Sequence, residues 1–161
     1  MAAIKEEFRQ AMGFFATGVT IVTSRIGEQF FAMTANAVAS VSLEPLLLLV
    51  CVDKTALTYE ALDKSGIFSV SILNEMQESL SRRFAIKPQP DENLLEGVGF
   101  RLGNLGCPII DGCLAYLDCR VTAAYPGGDH TIFLGEVEEI GVQGTGRPLI
   151  FYRGGYTSLD I

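Results

Sequence analysis

Alternation of apolar and polar positions dominates this chain. Between residues 114 and 124, Ala115, Leu117, Cys119, Val121 and Ala123 fall on one side and Tyr116, Asp118, Arg120 and Thr122 on the other. That is the period-two spacing of a strand with one covered face. The segment IFSVSIL repeats it, setting Phe68, Val70 and Ile72 against Ser69 and Ser71, and predicts a strand with one wetter face. VTIVTS is β-branched and a turn at Gly27 follows it. QFFAMTANAVASVS then runs on to Pro45 and the apolar stretch 46–52, whose unbroken hydrophobicity predicts a strand buried on both faces. Residues 130–140 and 148–152 supply two further strands.

Helical spacing is confined to short pieces. Ile4, Phe8, Ala11, Met12 and Phe15 predict an amphipathic helix over 4–15 that closes on a core. DKTALTYEALDKSG predicts a second, with Asp53 or Thr55 as N-cap and Gly66 just past its end. A third begins at Asn74, which has Gln77 in capping-box relation, aligns Met76, Leu80 and Phe84, and stops before Pro88 and Pro90. Residues 86–112, rich in Pro, Gly, Asn and Asp, read as a long surface loop. Many short strands with few helices predict a mainly β barrel or sandwich. At 161 residues, 48% of them hydrophobic, residues 1–161 are expected to form one domain with a substantial core.

Charge narrows the partners. A net charge of −7 argues against a nucleic-acid backbone or an anionic membrane, so an anionic ligand must meet positive groups gathered locally. The four cysteines show no C-x-x-C spacing and are read as structural thiols, and one histidine leaves no zinc pattern. MAAIKEEFRQ lacks the apolar run of a secretory signal, and LLLLVCV is too short to span a bilayer, so a soluble, cytoplasmic protein is expected.

Four places carry candidate chemistry. TANAVASVS packs small polar side chains between apolar strands; Thr34, Asn36, Ser40 and Ser42 would suit a flat polar ligand, or simply a Ser/Thr-rich turn. CVDKT joins a strand to a helix start, where Lys54 and Thr55 would suit a phosphate, or Asp53 and Thr55 a plain cap. In SRRFA, Glu78 lies four residues before Arg82 and so offers it an ion pair, leaving Arg83 the better candidate to reach an anion. GGDHT holds His130, the single histidine, beside Asp129. Neighbours on a strand point to opposite faces, so the two are not expected to act as a pair. No nucleophile motif or histidine cluster supports a hydrolytic triad or a metal hydrolase.

In order, FATGVTIVTS, MTANAVASVSLEPLLLLVCVDKTALTYEAL, FSVSIL, SRRFA, GGDHTIFLGEV and PLIFYRGGY resemble the flavin reductase domain of the short-chain reductases that serve two-component flavin monooxygenases. The likeness runs from about residue 8 to 158. It implies an FMN-binding split barrel, a Greek-key antiparallel barrel with short flanking helices, assembled as a homodimer with flavin near the subunit interface. It places Thr34, Ala35, Asn36 and Ala37 along the flavin ring and ribityl chain. Ser40, then Cys51, Val52, Asp53, Lys54 and Thr55, then Arg83, Phe84 and Ala85 complete the pocket. His130, Tyr152, Arg153 and Tyr156 would position the nicotinamide. The implied activity is hydride transfer from NADH or NADPH directly to FMN or FAD, with no catalytic side chain, and delivery of reduced flavin to a partner monooxygenase. Two rivals are a flavin-binding electron carrier or storage protein on the same barrel, and a pyridoxal-phosphate oxidase, for which basic residues are too scattered. Many relatives carry two prolines where this chain has EPL, and a tryptophan at Tyr116.

Overall fold

The computed structural model describes residues 2–161. The chain runs α1 (Lys5–Gly13), β1 (Thr17–Gly18), β2 (Thr20–Ile26), β3 (Gln29–Ala35), β4 (Val38–Leu43) and β5 (Leu46–Asp53). There follow α2 (Leu57–Ser65), β6 (Ile67–Ile72), a 3-10 turn (Glu75–Gln77) and α3 (Glu78–Phe84). Six strands complete it: β7 (Phe100–Leu102), β8 (Pro108–Ile110), β9 (Ala115–Gly127), β10 (His130–Val142), β11 (Ile150–Tyr152) and β12 (Gly155–Thr157).

Seven strands form one antiparallel sheet in the order β3-β2-β6-β9-β10-β5-β4. Its two outermost strands, β3 and β4, are consecutive in sequence and joined only by Asn36 and Ala37. Two linking residues reach roughly 10 Å, so the sheet must curl until its edges meet. The Cys51 amide donates to the Ala37 carbonyl at 3.0 Å, extending the β4–β5 ladder into this link. β2 is covered on both faces. Val22 joins Val50, Val52, Leu62, Phe68 and Phe133 inside the barrel, while Ile21 joins Leu73, Phe84, Leu95, Ile110 and Leu149 in a second core outside it. Gly135, at a bulge of β10, is required by close packing: a Cβ there would stand 2.6 Å from the Phe68 ring.

Several expectations change. The helix over 4–15 forms as Lys5–Gly13, but it buries none of its residues, and Phe8 is 66% exposed. Its contacts run to the β11–β12 hairpin, through the Arg153 amide on the Gly13 carbonyl and Phe14 edge-on to Tyr152. Neither Asp53 nor Thr55 caps α2; the N-cap is Ala56, and Asp53 instead closes a local turn on Thr55, while Gly66 ends the helix at φ 69° as expected. The capping box of Asn74 and Gln77 forms, although it opens a 3-10 turn and Met76 points outward. β5 buries Leu48, Val50 and Val52 while Leu47, Leu49 and Cys51 are only half-buried, so one face is fully covered, not both.

The largest revision concerns 86–112. This segment contains β7 and β8 and sends Leu94, Leu95, Cys107, Ile109 and Ile110 into the core. It also covers polar faces that period-two reasoning left wet. Ser69 and Ser71 of β6 are fully buried, Ser71 accepting the Ile110 amide at 3.1 Å, and Asp118 of β9 is fully buried beneath the turn between β7 and β8. Tyr116 lies against Gly141 and donates to Glu139 at 2.8 Å.

Asp118 accepts the Leu105 amide at 2.9 Å through Oδ2, while Oδ1 is buried without a partner among the described residues. Burial holds its carboxyl above the ordinary 3.8. A pKa raised by folding means the folded state favours the neutral acid. The benefit is complete below 3.8 and is lost as pH rises through the folded-state value. Asp118→Asn should therefore gain in Tm relative to the parent as pH increases from about 4 to 8, by a few degrees, on the order expected for about 1 kcal/mol. Thermal melts at both pH values check it; a Tm difference independent of pH would show that Asp118 ionises without cost.

Candidate active site at the barrel seam

Where the sheet edges meet, a cavity of about 330 Å3 opens. Residues 32–37 line it without a gap. Six consecutive residues cannot all project from one face of a strand, so the cavity is bordered by the strand's edge. β3 pairs with β2 on one side alone, which leaves backbone donors and acceptors on its other side. Small side chains at Ala35, Asn36 and Ala37 let a flat molecule approach that edge. The opposite wall comes from the end of β5 (Cys51, Asp53), the approach to α2 (Thr55, Ala56) and the stretch after α3 (Ala85 to Pro88), with His130 of β10 at the side.

A smaller cavity of about 220 Å3 shares Thr34, Ala35, Asn36 and Ala85 with the first and extends to Phe151 and Tyr156. Thr34 donates to the Ser81 carbonyl at 2.6 Å, and the Ser81 and Tyr156 hydroxyls are 2.6 Å apart. These contacts fasten β3, α3 and the β11–β12 hairpin together behind the seam.

Of the residues singled out in sequence, Thr34, Ala35, Asn36, Ala37, Cys51, Asp53, Thr55, Phe84, Ala85 and His130 border the main cavity, and Tyr156 the smaller one. The others stand elsewhere. Val52 projects into the barrel core between Cys51 and Asp53, as strand alternation demands. Ser40 pairs with Leu48 on the outer strand β4, and Lys54 is exposed on a turn whose amide donates to the Asp129 carbonyl. Tyr152 and Arg153 pack against Phe14 beside α1. Arg82 makes the expected helical pair with Glu78 at 2.9 Å. Arg83 donates to the Leu94 and Glu96 carbonyls, at 2.8 and 2.9 Å, and lies outside the main cavity.

Asp129 and His130 do meet, Oδ1 to Nδ1, at 2.7 Å. Asp129 belongs to the turn before β10, where strand alternation does not apply. The histidine contact holds the Asp129 carboxyl below its ordinary range. Asp53 is lowered too, first by the Thr55 amide and hydroxyl and then by the charges of His130 and Lys87. Lys87 escaped the sequence reading because it lies in a proline-rich stretch read as loop; its position two residues after RRFA was the available signal.

A family model described as "Flavin reductase like domain" matches residues 12–160. The chain belongs to the flavin reductase family. The reductase component of 4-hydroxyphenylacetate 3-monooxygenase from Thermus thermophilus is 42% identical over 156 residues, covering 97% of each chain. An NADH-dependent FMN reductase from Streptomyces nodosus subsp. asukaensis is 41% identical over 157 residues, covering 96% of this chain and 85% of that protein. Among solved structures, the NADH:FAD oxidoreductase of Streptomyces globisporus superposes with a TM-score of 0.93 at 38% identity, covering 100% of this chain and 98% of the other. The curled seven-stranded sheet is thus the split barrel of flavin reductases, and its seam is the place to test for flavin. The open edge of β3, bordered by small residues, fits the alternating donors and acceptors of the isoalloxazine rim.

Proposed function

We propose that this flavin reductase takes hydride from NADH or NADPH onto FMN or FAD and releases reduced flavin to a partner monooxygenase. The unpaired edge of β3 beside the seam cavity carries this reading. Bound flavin supplies the redox chemistry, accepting a hydride from reduced nicotinamide. The protein's part is alignment. Residues 34–37 hold the flat ring by backbone contacts, Ala85 leaves room for it, and His130, oriented by Asp129, stands at the rim to position the second ligand. The test is consumption of NADH or NADPH with and without added FMN or FAD. Flavin-dependent turnover supports the reading, whereas tightly retained flavin without nicotinamide oxidation would replace it with the carrier.

The reading extends to assembly and setting. One domain spans the chain and works as a homodimer. The exposed apolar faces of α1 (Phe8, Met12), of Phe15 just after it and of outer strand β4 (Val41, Leu43) support a second copy as their cover, in line with the family resemblance. Leu43 is 82% exposed. Sedimentation should give twice the 17.4 kDa chain mass, and Leu43→Asp should shift it toward monomer; a parent that sediments at the chain mass contradicts the dimer. No helix among the described residues is long and apolar enough to cross a membrane. Four free cysteines, with the thiols of Cys107 and Cys119 pushed up to about 12 by burial, support a reducing, cytoplasmic setting.

A further inference from the structure

We propose that Lys87 selects phosphorylated flavins at the seam, and that Arg83 fastens the loop that carries Lys87. The proposal rests on the flavin-binding reading and adds the residue that recognises the anionic tail. In a chain of net charge −7, an anion needs a local cation. Among the described residues, the basic side chains bordering the main cavity are Lys87 and His130. The imidazole is engaged with Asp129, whereas Lys87 makes no ion pair within 4.0 Å among the described residues. Of the cations that sequence reasoning favoured, Lys54 does not border that cavity, and Arg83 stands with Lys87 and Glu92 at an adjoining cavity of about 330 Å3, where its Nη2 is already committed to two carbonyls.

The charged groups that border the cavity with Lys87 are Asp53 and His130. The Asp53 carboxylate is already held by the Thr55 amide and hydroxyl at 2.8 and 2.7 Å, which keeps it folded back on its own turn. Lys87 is left with its donors free for an incoming phosphate.

Arg83 explains how an exposed lysine comes to a fixed place. Its Nη2 donates to the carbonyls of Leu94 and Glu96, and its guanidinium lies 5.5 Å from the Phe84 ring. One planar side chain at the start of the loop thereby ties down its far end, while Leu94 and Leu95 anchor in the outer core. Ile86, Lys87 and Pro88, between these anchors, form the cavity wall. Lysine in place of Arg83 keeps the charge but lacks the fork that spans two carbonyls.

FMN and riboflavin differ only in the phosphate, so the ratio of their affinities isolates the cation. Quenching of flavin fluorescence measures both dissociation constants for the parent, Lys87→Ala, Lys87→Arg and Arg83→Lys. The expected result is a parent preference for FMN that falls about tenfold in Lys87→Ala, the weight of one charge-assisted contact, with riboflavin affinity unchanged and Lys87→Arg restoring most of the preference. Arg83→Lys should weaken FMN selectively and speed hydrogen exchange over residues 86–96. Equal losses for both flavins in Lys87→Ala, or a parent with no preference, overturn the role of Lys87 while leaving flavin binding in place. Arg83→Lys with parent-like exchange and affinities overturns the role of Arg83 as a fastener. A parent that binds neither flavin removes the proposal together with the reading beneath it.

Discussion

Ala85→Phe should weaken flavin binding by about a hundredfold or more while leaving the fold intact, because added bulk at a ligand cavity acts on the complex and not on the core. Ala85 follows α3 with ordinary helical backbone angles and is exposed, so neither strain nor overpacking opposes a larger residue there. It borders both seam cavities, together with Thr34, Ala35 and Asn36. A phenyl ring at that position takes the space across which a tricyclic ring would lie on β3. Titration of FMN by fluorescence, beside a circular-dichroism melt, separates blocked binding from lost structure. Parent-like affinity in a folded Ala85→Phe protein would place the ring elsewhere.

His130→Ala should raise KM for NADH about tenfold and change FMN affinity less than twofold, the scale of one lost polar contact at a half-open site. The side chain is 41% exposed, stands at the start of β10 opposite Asp53, and is fixed by Asp129 at 2.7 Å. It therefore faces the mouth of the cavity, where a second ligand would arrive, while the edge of β3 that receives the flavin is untouched. Asp129→Asn tests the fixing contact and should show a smaller rise of the same kind. Steady-state kinetics at saturating flavin, with a separate flavin titration, divides the two ligands; a loss confined to flavin binding would reject this role for His130.

Parity along strands was readable in the sequence, but which faces become covered was not. The alternation in IFSVSIL and in 114–124 identifies β6 and β9, yet Ser69, Ser71 and Asp118 are buried because residues 86–112 fold back over them. Nothing local in a Pro- and Asn-rich stretch announces that Leu94, Leu95 and Ile110 will dock at a distance. The helix at 4–15 shows the reverse: its amphipathic spacing is real, and the core expected beneath it is not supplied by this chain.

At the site, contiguous motifs were legible and their side-chain directions less so. TANA borders the cavity as a run because it presents an edge, whereas CVDKT divides, with Cys51, Asp53 and Thr55 at the cavity and Val52 in the core. Arg83 has no acidic partner at helical spacing, as its sequence suggests, but backbone carbonyls eleven and thirteen residues away claim it. Such partners follow from how the chain closes on itself, which no window of sequence contains.

The central claim is that flavin lies against the free edge of β3 at the seam. Crystals grown with FMN and then exposed to NADH under anaerobic conditions test it most directly. The account predicts ring density along residues 34–37, with the phosphate toward Lys87 and bleaching of the yellow colour on reduction. Flavin bound away from the seam, or a seam closed by the protein's own side chains in the presence of excess FMN, would contradict it.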